Sequence, residues 1–318
     1  MRFYLNNYLC TNILQRITKK QHFNAMPTKR LFVPDDIIYP GTTDKNIRLL
    51  QYVNATGQEN FDAFLTHHAL VYILTGMKQI KTAQSQFNIH PGELLLIPRG
   101  EYVMSEYIAG ESGFQSIMLF FSKKVAQDLV EQLNTRFAAY PSVLSSTPKV
   151  AVKIIPHNED IERLFSSLAA YSTGNSSFTF ELIRLKFLEL IYLLLDSPYQ
   201  KLISSFLFDA ALSENPELST VLDKYLYTPV TIKELARLSG RSLSSFKREF
   251  SREYGEAPQT WIRSKKLTHA AYLLGTTDYT IEEIAENSGF VTGSHFARLF
   301  KIQFGATPTE YRIRKKAQ

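Results

Sequence analysis

The sequence predicts an α+β chain in two parts: a β-rich N-terminal region that passes into helices, and an all-α C-terminal third holding two helix-turn-helix units. Three observations carry this. Short apolar runs punctuated by Gly and Pro recur between Arg48 and Phe121, helical spacing replaces them after Ser122, and the last third of the chain contains one pattern twice.

The β-rich runs are RLLQYV, ALVYILTG, FNIHPGELLLIP and QSIMLFF. Evenly spaced short strands between turn residues point to an antiparallel barrel or sandwich. Beyond them, SKKVAQDLVEQLNTRF, NEDIERLFSSLAAYS and FTFELIRLKFLELIYLLLD place apolar residues three and four apart among charges, which is helical periodicity. The last of these, residues 178–196, is apolar around most of its circumference, so it must be covered by this chain or by a second copy. A homodimer through that helix is therefore one expectation. Ser, Asn and Pro in SENPE, residues 213–217, break both patterns and mark a boundary.

With 318 residues, 44% of them hydrophobic, the chain can bury two cores of ordinary size. Its net charge of +6 is concentrated late, because residues 215–318 carry 16 Lys and Arg against 11 Asp and Glu. That distribution makes nucleic acid a candidate partner of the C-terminal third. The single cysteine, Cys10, excludes an internal disulfide and a cysteine-built zinc site, in keeping with a reducing compartment. The opening segment is interrupted by Asn6, Asn7, Thr11 and Asn12 and so does not read as a signal peptide. No later stretch supplies the roughly 18 uncharged apolar residues of a membrane span. A cytoplasmic protein without a membrane partner is expected, with residues 1–28 a poorly ordered extension and both Met1 and Met26 available as starts.

The internal repeat decides the C-terminal reading. TIKELARLSG at 231–240 matches TIEEIAENSG at 280–289 with six identities in ten, at an offset of 49. At an offset of 50 the match continues through Ser242 and Thr292, Ser244 and Ser294, Phe246 and Phe296, Arg248 and Arg298, Phe250 and Phe300, and Trp261 and Tyr311. Each copy reads as helix, tight turn, helix. Thr231 and Thr280 precede Glu234 and Glu283 at capping-box spacing. Gly240 and Gly289 supply the positive φ that the turn needs. Ser242 and Thr292 then cap second helices whose phenylalanines, four apart, face inward. The outward face offers Ser244, Lys247, Arg248 and Ser251 in the first copy and Ser294, Ala297, Arg298 and Lys301 in the second.

A helix with small residues near its N-terminus and an Arg one turn on can enter a major groove and reach base edges. An isolated Arg would ordinarily be a solvated surface group; the repeated context turns Arg248 and Arg298 into candidate base or phosphate contacts. Between the copies, APQTWIRSKKLTHAAYLLG reads as one helix of about 18 residues, roughly 27 Å long. With the width of the flanking units added, this approaches the roughly 34 Å between successive major grooves on one face of B-DNA. Arg263, Lys265, Lys266 and His269 on this connector are equally readable as phosphate contacts or as a solvated face.

These residues resemble the AraC/XylS family of transcription regulators over roughly Pro216 to Arg314, most specifically in IEEIAENSGF and HFARLFKIQFGATPTEYR. The resemblance implies a seven-helix domain that binds double-stranded DNA near promoters, acting most often as an activator, with RNA polymerase as a partner. By position it makes Ser244, Lys247, Arg248, Ser294, His295, Ala297 and Arg298 groove-facing. Ser242, Thr292 and Lys301 complete the expected DNA-binding set. Gly293 departs from the polar residue usual in the family.

The run PGELLLIPRGEYVMS has the G-x5-P-x-G pattern of a cupin strand pair. Together with FELIRLKFLELIYLLLDSP it resembles the subgroup of the exoenzyme S regulator. The implied architecture is a cupin-like β-barrel domain at 29–125, a helical linker and dimerisation region at 126–212, and the double helix-turn-helix domain at 213–315. Control then comes from a small effector or a regulatory protein at the N-terminal domain, with Tyr72, Tyr102 or Tyr107 as candidate lining for an effector.

The rival reading is a cupin-type metal enzyme or sensor fused to a DNA-binding domain. It needs converging imidazoles and a carboxylate. Val103 stands where the second cupin motif would place its His, and the adjacent His67 and His68 would point to opposite faces of a strand. His67, His68 and His90 are therefore read as structural or surface residues, and no catalytic residue, metal ligand or cofactor is assigned.

Overall fold

A computed structural model describes residues 30–36, 46–82, 85–108, 110, 113–136, 152–173 and 178–316. The expected N-terminal extension and the choice between Met1 and Met26 lie outside the described residues. The chain divides into two compact units, the first ending at Ser213 and the second beginning at Glu214.

The first unit is built on two five-stranded sheets. One runs β1 (Leu31–Val33), β3 (Gln58–Leu65), β8 (Gly100–Tyr107), β5 (Met77–Lys81), β6 (Gln86–Ile89); the other runs β10 (Lys153–Ile155), β7 (Leu94–Ile97), β4 (His68–Thr75), β9 (Phe114–Phe121), β2 (Ile47–Asn54). All pairings are antiparallel except β1 with β3. Among the described residues, hydrogen bonds do not close these sheets into the expected barrel. The Gly92 to Gly100 run explains how the layers connect. Its two strands, β7 and β8, lie in different sheets, so Pro98 and Arg99 form a corner between layers instead of a hairpin within one. The conformation there is secured by the Tyr102 hydroxyl, which donates to the Pro98 carbonyl at 2.8 Å.

Two cores share the second sheet. Leu50, Ala69, Val71, Ile73, Leu95, Ile97, Met118 and Phe120 face the first sheet, against Leu65, Ile80, Ile89 and Met104. The alternate residues Leu49, Leu70, Tyr72, Leu94, Leu96, Ile117, Leu119 and Phe121 face a helical layer. Burial on both faces accounts for the continuous apolar runs of β4, β7 and β9. The helical layer consists of α1 (Lys123–Arg136), α2 (Glu159–Ala169), α3 (Thr179–Leu195) and α4 (Gln200–Leu212). Asn158 caps α2 by accepting the Asp160 and Ile161 N–H groups at 2.9 and 3.1 Å. One face of α3 is covered by this chain through Ile183, Phe187, Leu190, Ile191, Leu194 and Leu195. Leu185 and Tyr192 on α3 and Phe178 before it remain exposed.

Within the sandwich, Lys78 and Glu106 form a buried ion pair at 2.7 Å. The other carboxylate oxygen of Glu106 accepts from the Tyr52 hydroxyl and the Asn54 amide, both at 2.9 Å. The adjoining cavity measures about 30 Å³, the space of a single water. Tyr72 does not line it; its ring stacks on Phe165 in the helical layer at 4.7 Å, because alternate β4 residues point away from the sandwich.

The second unit is helical: α5 (Leu218–Tyr225), α6 (Ile232–Leu238), α7 (Leu243–Tyr254), α8 (Pro258–Thr276), α9 (Ile281–Asn287), α10 (Gly293–Phe304) and α11 (Pro308–Lys316).

Candidate nucleic-acid interface

Two helix-turn-helix units, α6 with α7 and α9 with α10, flank the 19-residue connector α8. Their start signals work as the spacing predicts. The Thr231 hydroxyl accepts the Glu234 N–H at 3.2 Å while the Glu234 carboxylate accepts the Thr231 N–H at 2.7 Å. Thr280 and Glu283 repeat this at 3.1 and 2.7 Å. A third reciprocal cap, Thr307 with Glu310, opens α11. Such caps satisfy N–H groups that a helix start would otherwise leave unpaired. The turn glycines Gly240 and Gly289 have φ of +72° and +76°.

The second helix of each unit is oriented by aromatic packing. Phe246 and Phe250 are buried, and Phe250 meets Trp261 edge-on at 5.6 Å. Phe296 and Phe300 are buried likewise, and Phe300 meets Tyr311 edge-on at 5.3 Å. With those rings inward, the opposite face must point to solvent. Ser242, Ser244, Lys247 and Arg248 are exposed on the first, as are Thr292, Ser294, His295, Arg298 and Lys301 on the second; Ala297 is half-buried. Ser242 caps α7 by accepting the Ser245 N–H at 3.2 Å, and Thr292 caps α10 by accepting the His295 N–H at 3.3 Å. Gly293 thus sits inside a regular helix start. Among the described residues, the side chains of Lys247, Arg248, Arg298 and Lys301 form no salt bridge or hydrogen bond. The result is two 12-residue helices with exposed N-termini and cations that make no close ion pair, a combination that attracts phosphate.

Not every basic residue of this region faces outward. Arg241 donates to Glu249 at 2.7 Å and to the Pro216 and Ser239 carbonyls at 2.7 and 2.9 Å, so it fastens the first turn. Its hydrogen bond holds the Glu249 carboxyl below the usual carboxylate range. On the connector, Arg263 and Lys265 are exposed, but Lys266 is only 7% exposed and is no phosphate contact. Its ammonium donates to the Thr228 and Gly289 carbonyls at 2.8 and 2.9 Å, and burial pushes it down to about 8. His269 is half-buried against the Tyr227 ring, with centroids 4.1 Å apart. The signal for Lys266 was present: it stands four residues from both Ile262 and Ala270, on the apolar stripe of α8.

Two family models match the chain, an ExsA N-terminal regulatory domain over residues 68–206 and a helix-turn-helix domain over residues 235–314. The regulator SoxS of Escherichia coli is 34% identical over 98 residues, which cover 31% of this chain and 92% of SoxS. The chain belongs to the AraC/XylS family of transcriptional regulators. Its subgroup is that of the exoenzyme S regulator: ExsA of Pseudomonas aeruginosa is 27% identical over 246 residues, covering 76% of this chain and 85% of ExsA. A crystal structure of ToxT from Vibrio cholerae aligns with 85% of this chain and 98% of that one, at 13% identity and a TM-score of 0.41. By its two family models this AraC/XylS regulator joins an N-terminal regulatory region to a DNA-binding helix-turn-helix domain, and the named relatives are transcriptional regulators. Among the described residues no three His, Cys, Asp or Glu side chains gather to hold a metal, and no helix is long and apolar enough to cross a membrane.

Proposed function

We propose that this regulator activates transcription in the cytoplasm by laying α7 and α10 into successive major grooves of one promoter duplex. Residues 213–315 act as the DNA-binding domain under the control of residues 29–212. Ser244, Lys247 and Arg248 approach base edges in the first groove, and Ser294, His295, Ala297 and Arg298 in the second. Ser242, Thr292 and Lys301 anchor the phosphates. RNA polymerase is the partner that bound regulator recruits. The observation that carries this reading is the repeated pairing of an inward phenylalanine pair with an outward face of small and exposed basic residues.

For the N-terminal region the reading favours control by protein contact, from a regulatory protein or a second copy. The cavity beside Lys78 and Glu106, at about 30 Å³, does not accommodate a small-molecule effector without opening. The exposed Phe178, Leu185 and Tyr192 along α3 offer the surface for a homodimer. The cupin-like description is kept for the corner between Gly92 and Gly100, which passes the chain from one layer to the other.

The test uses the full-length chain and a duplex that it selects from a random DNA pool. Arg298→Ala should lower affinity for the selected duplex by about 1 to 3 kcal/mol and lower affinity for random duplex much less. An equal loss on both would reassign Arg298 to phosphate. Selection that enriches no sequence at all would remove the reading.

A further inference from the structure

The connector helix carries a buried cation that DNA contact does not explain. Lys266 lies at mid-length of α8, and its ammonium bridges two carbonyls that are far apart in sequence. Thr228 belongs to the loop that leads from α5 into the first helix-turn-helix unit, while Gly289 is the turn of the second. The two backbones are in direct contact at this place. A Cβ built on Gly289 would lie 2.7 Å from the Tyr227 carbonyl carbon, 2.8 Å from the Thr228 oxygen and 2.8 Å from Lys266 Nζ. One helical turn along, His269 stacks on Tyr227 and holds the same loop a second time. Burying an ammonium without a counter-ion is unfavourable, so its retention at this place calls for a compensating role.

Mechanics supplies one. The second unit packs along the connector, with Ile284, Ala285, Phe296 and Phe300 on Leu267, Ala270 and Leu274. The helix of the first that faces the groove meets the connector near its start, at Trp261, which leaves the first unit a freedom to swing about that end. A tie away from the helix axis removes that freedom, as a third strut stiffens a hinge. We propose that Lys266 is a positioning residue that pins the entry loop of the first helix-turn-helix unit to the turn of the second and thereby sets the groove-to-groove spacing the regulator accepts. This rests on the two-groove reading above.

The experiment measures binding of the full-length chain to its selected duplex, to the same duplex with one half randomised, and to versions with one base pair inserted or removed between the halves. One inserted base pair turns the far groove by about 35° and moves it by about 3.4 Å. The wild-type chain should lose at least about tenfold on that insertion, because a rigid two-site binder forfeits its second contact when geometry fails. Lys266→Met should bind the half-randomised duplex within about twofold of wild type, lose about tenfold on the intact duplex, and discriminate the insertion by less than about threefold. Lys266→Arg, which can still donate to both carbonyls, should restore discrimination. Should Lys266→Met disturb folding, seen as a shift in Trp261 emission, Tyr227→Ala decides, since it removes the stack from a more exposed position and should relax spacing in the same sense. Discrimination retained by both Lys266→Met and Tyr227→Ala overturns the pin while leaving the two-groove reading intact. Equal losses on intact and half-randomised duplex overturn it as well. A wild-type chain indifferent to spacing removes both.

Discussion

Lowering the pH should destabilise the N-terminal unit selectively through His68. Its ring is 6% exposed, stacked on Phe121 with centroids 5.6 Å apart and edge-on to Phe206 at 5.9 Å. Nδ1 accepts the Arg99 N–H at 3.3 Å, while Nε2 has no partner among the described residues. Burial, with the Arg99 and His67 charges adding to it, lowers His68 from 6.5 to about 4. Between those values the unfolded chain binds a proton that the folded unit refuses, so stability present above pH 6.5 is lost as pH falls toward 4. The full difference is about 3 kcal/mol, of which about 2 kcal/mol is lost between pH 7.5 and pH 5. His68→Phe keeps a flat ring in the stack and cannot take up the proton. Urea unfolding of both proteins, followed by near-ultraviolet circular dichroism for the tyrosine-rich N-terminal unit, should show the stability gap shifting by about 2 kcal/mol in favour of the variant at pH 5. Trp261, the one tryptophan of the chain and a residue of the second unit, serves as internal control. Carboxylate titrations common to both proteins cancel in the difference. Parallel pH profiles for the two proteins would refute the assignment.

Three further outcomes follow from the same physical terms. Lys78→Met leaves the buried Glu106 charge uncompensated and should cost about 3 to 5 kcal/mol in urea unfolding. The double variant Lys78→Met with Glu106→Gln, which keeps an acceptor for Tyr52 and Asn54, should be the less destabilised of the two. Thr280→Ala deletes the reciprocal cap of α9 and should cost about 1 kcal/mol in thermal unfolding followed by helical circular dichroism. Specific binding should weaken linearly with the logarithm of salt concentration, and Lys301→Ala should reduce that slope by about one.

The elements that were legible in the sequence share a cause. β4, β7 and β9 announced themselves because both of their faces are buried, so ALVYIL, LLLI and IMLFF are unbroken apolar runs. β3 and β5 went unread, and β8 was read only through the G-x5-P-x-G spacing, because one side of their sheet meets no second layer among the described residues. QENFDAFL, MKQIK and GEYVMSEY accordingly mix charges into half-buried strands. Helix α4 went unread although Ile203, Phe206, Leu207, Ala210 and Ala211 recur at helical spacing on the face it turns to the core.

What the sequence by itself determined is the pair of helix-turn-helix units, because caps, turn glycines and the i, i+4 phenylalanines act within a few residues of one another, and local chemistry survives being read one position at a time. What only the tertiary structure decided is which charges are spent. Arg241 and Lys266 carry the same charge as Arg248 and Arg298, yet partners 8 to 38 residues away turn the first two inward. Spacing on the apolar stripe of α8 marks Lys266 as inward, but the partners that accept from it and from Arg241 are carbonyls and a carboxylate that only the fold brings together.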